Sequence, residues 1–89
     1  MEIDQQVKQF FDADYKLKQW PGKFGKQAIC LKLIGEHFEF EKEYDGTEIK
    51  DILNHAHTFN DPALLRRELV SSKLMDRSPD GRTYWRIKS

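Results

Sequence analysis

The side chains best suited to chemistry in this chain are cationic, and two groups of them stand at spacings that present them together. In Leu64-Leu65-Arg66-Arg67-Glu68-Leu69, a helical step of about 100° per residue turns Leu65 and Leu69 inward and Arg67 and Ser71 outward, with Arg66 and Lys73 on the flank. A guanidinium pairs bidentately with guanine, so Arg67 and Ser71 suit a major groove. Arg66 and Lys73 then suit the phosphates beside it. A plainer role for Arg66 is an ion pair with Glu48 or Asp51 on the preceding helix, orienting the two helices. Asp61 at the start of the same helix repels phosphate and counts against a duplex there. The second group, Arg77, Arg82 and Arg86, falls in a predicted hairpin. Arg82 follows the turn and is placed for a minor groove or its phosphates. Arg77 and Arg86 are expected to face each other across the hairpin or to straddle Asp76. Lys23 and Lys26, opening an earlier helix, add phosphate contacts.

Other residue types offer less. His55-Ala56-His57 suggests a metal pair, but positions i and i+2 of a helix face different sides, and no cysteine pair or carboxylate stands at ligand spacing. His57 is expected to tie a turn together by hydrogen bonds. His37 falls on the core face of a helix and reads as a satisfied core histidine, and Cys30 reads as a small apolar filler. Gly22-Lys23-Phe24-Gly25-Lys26 echoes a phosphate loop, but with two residues between the glycines and Gln27 after the lysine. A Gly-x-x-Gly clamp for single-stranded RNA joins two helices, whereas here an extended arm leads into one. No nucleophile elbow, dinucleotide fingerprint or zinc-hydrolase helix occurs. The expectation is a protein that is not an enzyme and carries no cofactor or metal.

The elements that must position the arginines follow from periodicity. Ile3, Val7, Phe10 and Phe11 form the stripe of a short amphipathic helix that Asp4 caps. Residues 15–20 alternate like a strand or extended arm and stop at Pro21-Gly22. Residues 23–38 read as a helix with Ile29, Leu33 and His37 in one row and Cys30, Ile34 and Phe38 in the next. Gly35 within it suggests a close helix crossing. Asp45 and Glu48 have capping-box spacing ahead of Ile49, Ile52, Leu53 and Ala56, a second core helix. Asp61-Pro62 caps and opens a third, over residues 62–73. Ser78-Pro79-Asp80-Gly81 fits a type I turn closed by a bulge at glycine, hence a β-hairpin. Of Tyr84 and Trp85, which alternate sides, Trp85 is expected in the core and Tyr84 partly exposed. The fold predicted is α+β and mostly α. It is a winged helix-turn-helix of three core helices plus a C-terminal β-hairpin wing, with an additional N-terminal helix and extended arm. Residues 1–89 are taken as one such domain, 1–22 the helix and arm, 23–89 the core helices and wing.

With 89 residues there is room for one small core. One cysteine excludes an internal disulfide and suits a reducing cytoplasm. The acidic, polar start is unlike a signal peptide, and Ala28-Ile29-Cys30-Leu31, the longest apolar run, is far short of the ~20 residues a bilayer needs. Fifteen basic residues balance fifteen acidic ones. Net zero removes the usual first clue to a nucleic-acid binder, yet the signs are segregated along the chain. Residues 16–32 carry five lysines and no acid; residues 36–48 carry six acids against Lys42; residues 66–88 carry seven bases against Glu68, Asp76 and Asp80. A neutral chain with a basic face can still meet phosphate, although charge runs are also what ordinary solvated faces look like.

Four segments together resemble the bacterial domain of unknown function 2087: Leu17-Lys18-Gln19-Trp20-Pro21, His57-Thr58-Phe59-Asn60-Asp61, Leu65-Arg66-Arg67-Glu68-Leu69 and Asp80-Gly81-Arg82-Thr83-Tyr84-Trp85-Arg86. The resemblance implies a regulatory setting, since members occur alone or fused to helix-turn-helix domains and are described as predicted transcriptional regulators. Fusion to separate DNA-binding domains equally implies that this module can have another task. The leading expectation is a cytoplasmic, winged-helix DNA-binding regulator, its partner double-stranded DNA, with the third core helix in the major groove and the wing on the backbone. The alternative is a protein-interaction or dimerisation module, a homodimer or the partner of a regulator, using Leu64, Phe24 and Tyr84 as an exposed apolar patch.

Overall fold

Three of the four helices among the described residues begin on an aspartate whose carboxylate takes over backbone hydrogen bonding. The structure, a computed structural model that describes residues 2–88, opens on a 3-10 helix, Gln5–Phe10, whose first turn the Asp4 carboxylate closes by accepting from the Gln6 N–H at 2.9 Å. The cap is as the sequence predicts; the helix is tighter than the expected α-helix. Its apolar stripe lasts barely two turns, and Phe11 is already drawn into extended pairing with Leu17, leaving too little length to propagate an α-helix. The Asp12 carboxylate then accepts from the Asp14 and Lys16 N–H groups, 2.9 Å each, turning the chain. The extended arm that follows is stitched down: fully buried Leu17 donates to the Ala56 carbonyl and accepts from the Thr58 N–H, both at 2.9 Å.

Helix α1, Phe24–Gly35, buries Cys30, Leu31, Leu33 and Ile34. It stops three residues short of the expected end, and the turn 34–38 is closed by the His37 N–H on Ile34 and the Phe38 N–H on Gly35. That turn carries Phe38 into the core, edge-on to Tyr44 at 5.1 Å, and leaves His37 exposed. The core-histidine expectation for His37 therefore fails because the helical row that placed it inward has already ended. Strand β1, Glu43–Asp45, leads directly into helix α2, Gly46–Ala56. The capping box is complete: Asp45 accepts from the Glu48 N–H at 2.8 Å, and Glu48 accepts from the Asp45 N–H at 3.0 Å. Helix α3, Pro62–Ser71, has Asp61 accepting from the Leu64 N–H and proline in its first turn.

Between α2 and α3 sits His57, the one buried polar or charged residue among the described residues apart from the tyrosines of the core. Its Nδ1 lies 2.6 Å from the Leu53 carbonyl and its Nε2 accepts from the Asp61 N–H at 2.8 Å. A carbonyl can only accept and an amide N–H can only donate, so the ring is the neutral Nδ1–H tautomer. The hydrogen-bonded turn expected for this histidine is present, with the Phe59 ring against it at 4.7 Å.

Strands β2, Met75–Arg77, and β3, Thr83–Arg86, flank the turn at Ser78–Gly81, where the Gly81 N–H reaches the Ser78 carbonyl at 2.9 Å and Gly81 takes a φ of 71°. The predicted hairpin turn is present with glycine in the left-handed region, while the strands pair one-to-one up to Ser78 and Thr83 with no bulge in the ladder. Strand order is β1-β3-β2, antiparallel throughout, so the molecule is a small α+β domain with four helices and a three-stranded sheet among the described residues. Two expectations are corrected by the register, which sets Tyr84 between Tyr44 and Arg77, Trp85 between Glu43 and Asp76, and Arg86 opposite Met75. Paired residues share a face. Tyr44, Tyr84 and Met75 face the helices and are buried, and Trp85 sits half-buried on the outer face, the reverse of the expected assignment. Arg77 and Arg86 do not face each other. Arg86 instead stacks on Phe40 at 4.0 Å and donates to the Phe38 carbonyl at 3.0 Å, tying the α1–β1 connection to β3.

Gly35 lies where α1 crosses α3, yet a Cβ there would meet Leu69 Cδ2 at 4.0 Å, an ordinary contact, so the crossing is not one that demands glycine. Gly35→Ala is expected to stabilise the fold by about 0.4–1 kcal/mol through lost unfolded-state entropy; a lower midpoint in urea would contradict the crossing geometry. Burial pushes the Cys30 thiol up to about 11, so it stays protonated through the neutral range and is shielded from reagents. At neutral pH a disulfide reagent is expected to label Cys30 only on unfolding; prompt native-state labelling would show the site to be open.

Candidate functional site

The side of α3 that turns from the core meets the edge strand β2, and a groove of about 410 Å³ runs between them. Arg66, Arg67 and Ser71 line it from α3, Arg77 lines it from β2, and Tyr84 and Val70 form apolar floor. Four of the eight residues singled out from sequence are thus brought to one place, and among the described residues no carboxylate lines the groove. Three guanidiniums with no acid among them, partly over an aromatic floor, make a local field that selects anions and offers forked donors to phosphate or to a base edge. Arg67 and Ser71 are exposed, as their outward helical angle predicts.

Arg66 takes neither of the ion pairs expected of it. Among the described residues the ion pairs are Lys42–Glu39 and Lys88–Glu41. Glu48 is committed to the capping box, and the Arg66 guanidinium turns toward the Tyr84 ring, 6.0 Å from its centroid. Tyr84 is therefore the groove residue that sequence reasoning missed. The signal was present in β2: Met75 is its apolar, inward residue, so Arg77 shares Met75's face, and the hairpin register pairs Arg77 with Tyr84.

The remaining candidates lie apart. Arg82 borders a second, open depression with Lys50, Asp45 and Asp51, which Arg66 also reaches; Lys50 is a cation that helix periodicity alone did not single out. At the turn itself the Asp80 carboxyl is held below the usual carboxylate range by the Ser78 hydroxyl and then by the Arg82 N–H. It thus stays charged beside Arg82 and weakens the positive potential of the tip. Lys23 and Lys26 belong to the start of α1; Lys23 is exposed, and the Lys26 ammonium lies 6.0 Å from the Phe10 ring centroid. Lys73 follows α3 in the left-handed region, φ 63°. The Leu74 N–H bonds back to Leu69 and the Lys73 N–H to Val70, both at 3.1 Å. This is a Schellman closure with lysine where glycine is usual, and it ends α3 two residues before the predicted boundary.

The model of a family described as an uncharacterized protein conserved in bacteria (DUF2087) matches residues 16–86. No curated protein and no solved structure matches the chain. The matched span holds all eight candidate residues and every element except the N-terminal 3-10 helix.

Left-handed backbone costs a residue with a Cβ about 1–2 kcal/mol relative to glycine. Lys73→Gly is accordingly expected to stabilise the protein by about 1 kcal/mol, read as a higher denaturation midpoint. An unchanged or lower midpoint would mean that the lysine side chain itself supports the helix end.

Proposed function

We propose, for a chain that belongs to this bacterial family, that the fold is a winged helix and that its ligand is double-stranded DNA. The element order α1-β1-α2-α3-β2-β3, with the first strand pairing on the last, supports the winged-helix assignment, α2 and α3 forming the helix-turn-helix and β2-β3 the wing. The observation that carries the DNA assignment is the acid-free groove holding Arg66, Arg67 and Arg77. Its setting favours the same ligand. Glu43 and Asp45 of strand β1, at the opposite edge of the sheet from β2, do not line the groove, although Asp45 and Asp51 share the neighbouring depression with Arg66.

In this arrangement Arg67 from the middle of α3 and Ser71 from its last turn reach base edges, and the N-cap Asp61 stays outside the groove. Arg66, Arg77 and Lys73 meet the flanking phosphates, Arg82 meets the backbone beyond the turn, and Lys23 and Lys26 extend the contact from α1. Residues 1–89 act as one winged-helix unit in a cytoplasmic regulator, binding without catalysis.

Neutralising about four to six phosphates gives log affinity a slope of about −4 to −5 against log salt. Amide-shift titration with a duplex, then with a duplex library, is expected to move α3 and hairpin signals first. Arg77→Ala and Arg82→Ala are expected to weaken all sequences alike and flatten the slope by about 1 each; Arg67→Ala is expected to cost about 1–3 kcal/mol and relax sequence preference. The proposal fails if all three variants bind as the parent does, with an unchanged slope.

A further inference from the structure

Helix α3 presents one open row to the groove it forms with β2. Ala63, Arg67 and Ser71 stand at i, i+4 and i+8, are all exposed, and all line that groove. Arg66 and Val70 flank the row and are half-buried. At about 1.5 Å per residue, Ala63 and Arg67 lie about 6 Å apart along the helix axis. That is close to two base-pair steps of a duplex, about 3.4 Å each. The lining is equally telling for what it lacks. Among the described residues no asparagine, glutamine, aspartate or glutamate lines the groove. Glu68, the one acid of α3, lines the opposite side, toward α1, and the Asp61 carboxylate is turned back onto the Leu64 N–H at 3.1 Å.

Amide side chains pair bidentately with adenine, and carboxylates accept from the cytosine amino group. The groove holds neither. It holds a guanidinium, which forks onto guanine O6 and N7, and an exposed methyl, which suits the C5-methyl of thymine. The other apolar side chains expected at the surface cannot make that contact. Tyr84 is buried in the floor and Leu64 is half-buried, while Phe24 is exposed beside a separate groove of about 350 Å³ between α1 and α3.

We infer that Ala63 is a specificity-determining residue of the α3–β2 groove, taking the methyl of a thymine about two base-pair steps from the guanine that Arg67 reads. This role rests on duplex DNA being the ligand, and it narrows that ligand to duplexes carrying guanine and thymine at this spacing. Adenine and cytosine are specified only as their partners, and the Ser71 hydroxyl, which both donates and accepts, tolerates any base.

Selection from a random duplex library, followed by affinity measurement on the selected site, tests this. Selected sites are expected to carry guanine and thymine with one base pair between them. Replacing that thymine by deoxyuracil deletes only the methyl. The change is expected to weaken the parent about fourfold, the worth of one buried methyl, and to leave Ala63→Gly unaffected. The two duplexes are compared on the same protein, so any stability lost to glycine cancels. Ala63→Gln supplies the missing amide at an exposed position and is expected to move the preference there from thymine to adenine. The role of Ala63 is overturned, with DNA binding left standing, if the parent binds duplexes but selects no thymine at that spacing. It is equally overturned if Ala63→Gly keeps the deoxyuracil penalty or Ala63→Gln still prefers thymine. A parent that binds no duplex at low salt overturns the ligand and the role of Ala63 together.

Discussion

The geometry of the molecule depends on one imidazole. His57 accepts the Asp61 N–H that α3 cannot satisfy internally and donates to the Leu53 carbonyl that α2 leaves open. Helix ends carry such unpaired groups by construction, and here a single neutral ring serves both across a sharp bend. The backbone of His57 pairs meanwhile with Leu17, so the N-terminal arm is tied to the same point. The angle between α2 and α3 is set in this way. It decides in turn which side of α3 meets α1 at Gly35 and Leu69, and which side is left to form a groove with β2.

Charge follows the same logic. A chain with fifteen bases and fifteen acids has no net attraction for a polyanion, and what matters is where folding separates the signs. Strand β1 with its acids lies at one edge of the sheet and β2 with Arg77 at the other, and Arg66 stands between, lining the groove on one side and the depression of Asp45 and Asp51 on the other. Several charges that looked available are committed elsewhere. Glu48 closes a helix start, Arg86 pins the α1–β1 connection over Phe40, and Asp80 organises the turn. The three arginines of the groove, like Arg82 beside the turn, make no ion pair among the described residues, and the groove gathers three of these cations without an acid in its lining.

What could be read directly was local. Asp4, the Asp45/Glu48 box, Asp61-Pro62 and the turn at Gly81 all work through atoms a few residues apart, so their chemistry is legible in sequence. So was the outward angle of Arg67 and Ser71, because helix geometry alone sets it. Strand β1 was not legible. Its three residues contain one apolar side chain, and they form a strand only because β3 supplies the pairing. The end of α1 was misjudged for a related reason: Phe38 is worth more to the core against Tyr44 than one further helical turn, and His37 turns outward as a consequence.

The amino-acid sequence by itself determined the number and kind of helices in the core, the starting caps of α2 and α3, the hairpin turn and the face of α3 that carries cations, since each depends on contacts within a turn or two. Only the tertiary structure decided that Arg77 joins Arg66 and Arg67, that Tyr84 rather than Trp85 lies beneath them, and that Phe24 projects beside an open groove. Those outcomes depend on strand register and helix crossing. Both are set by contacts between residues far apart in the chain, and a shift of one residue in pairing would have turned every side chain of β3 to the other face.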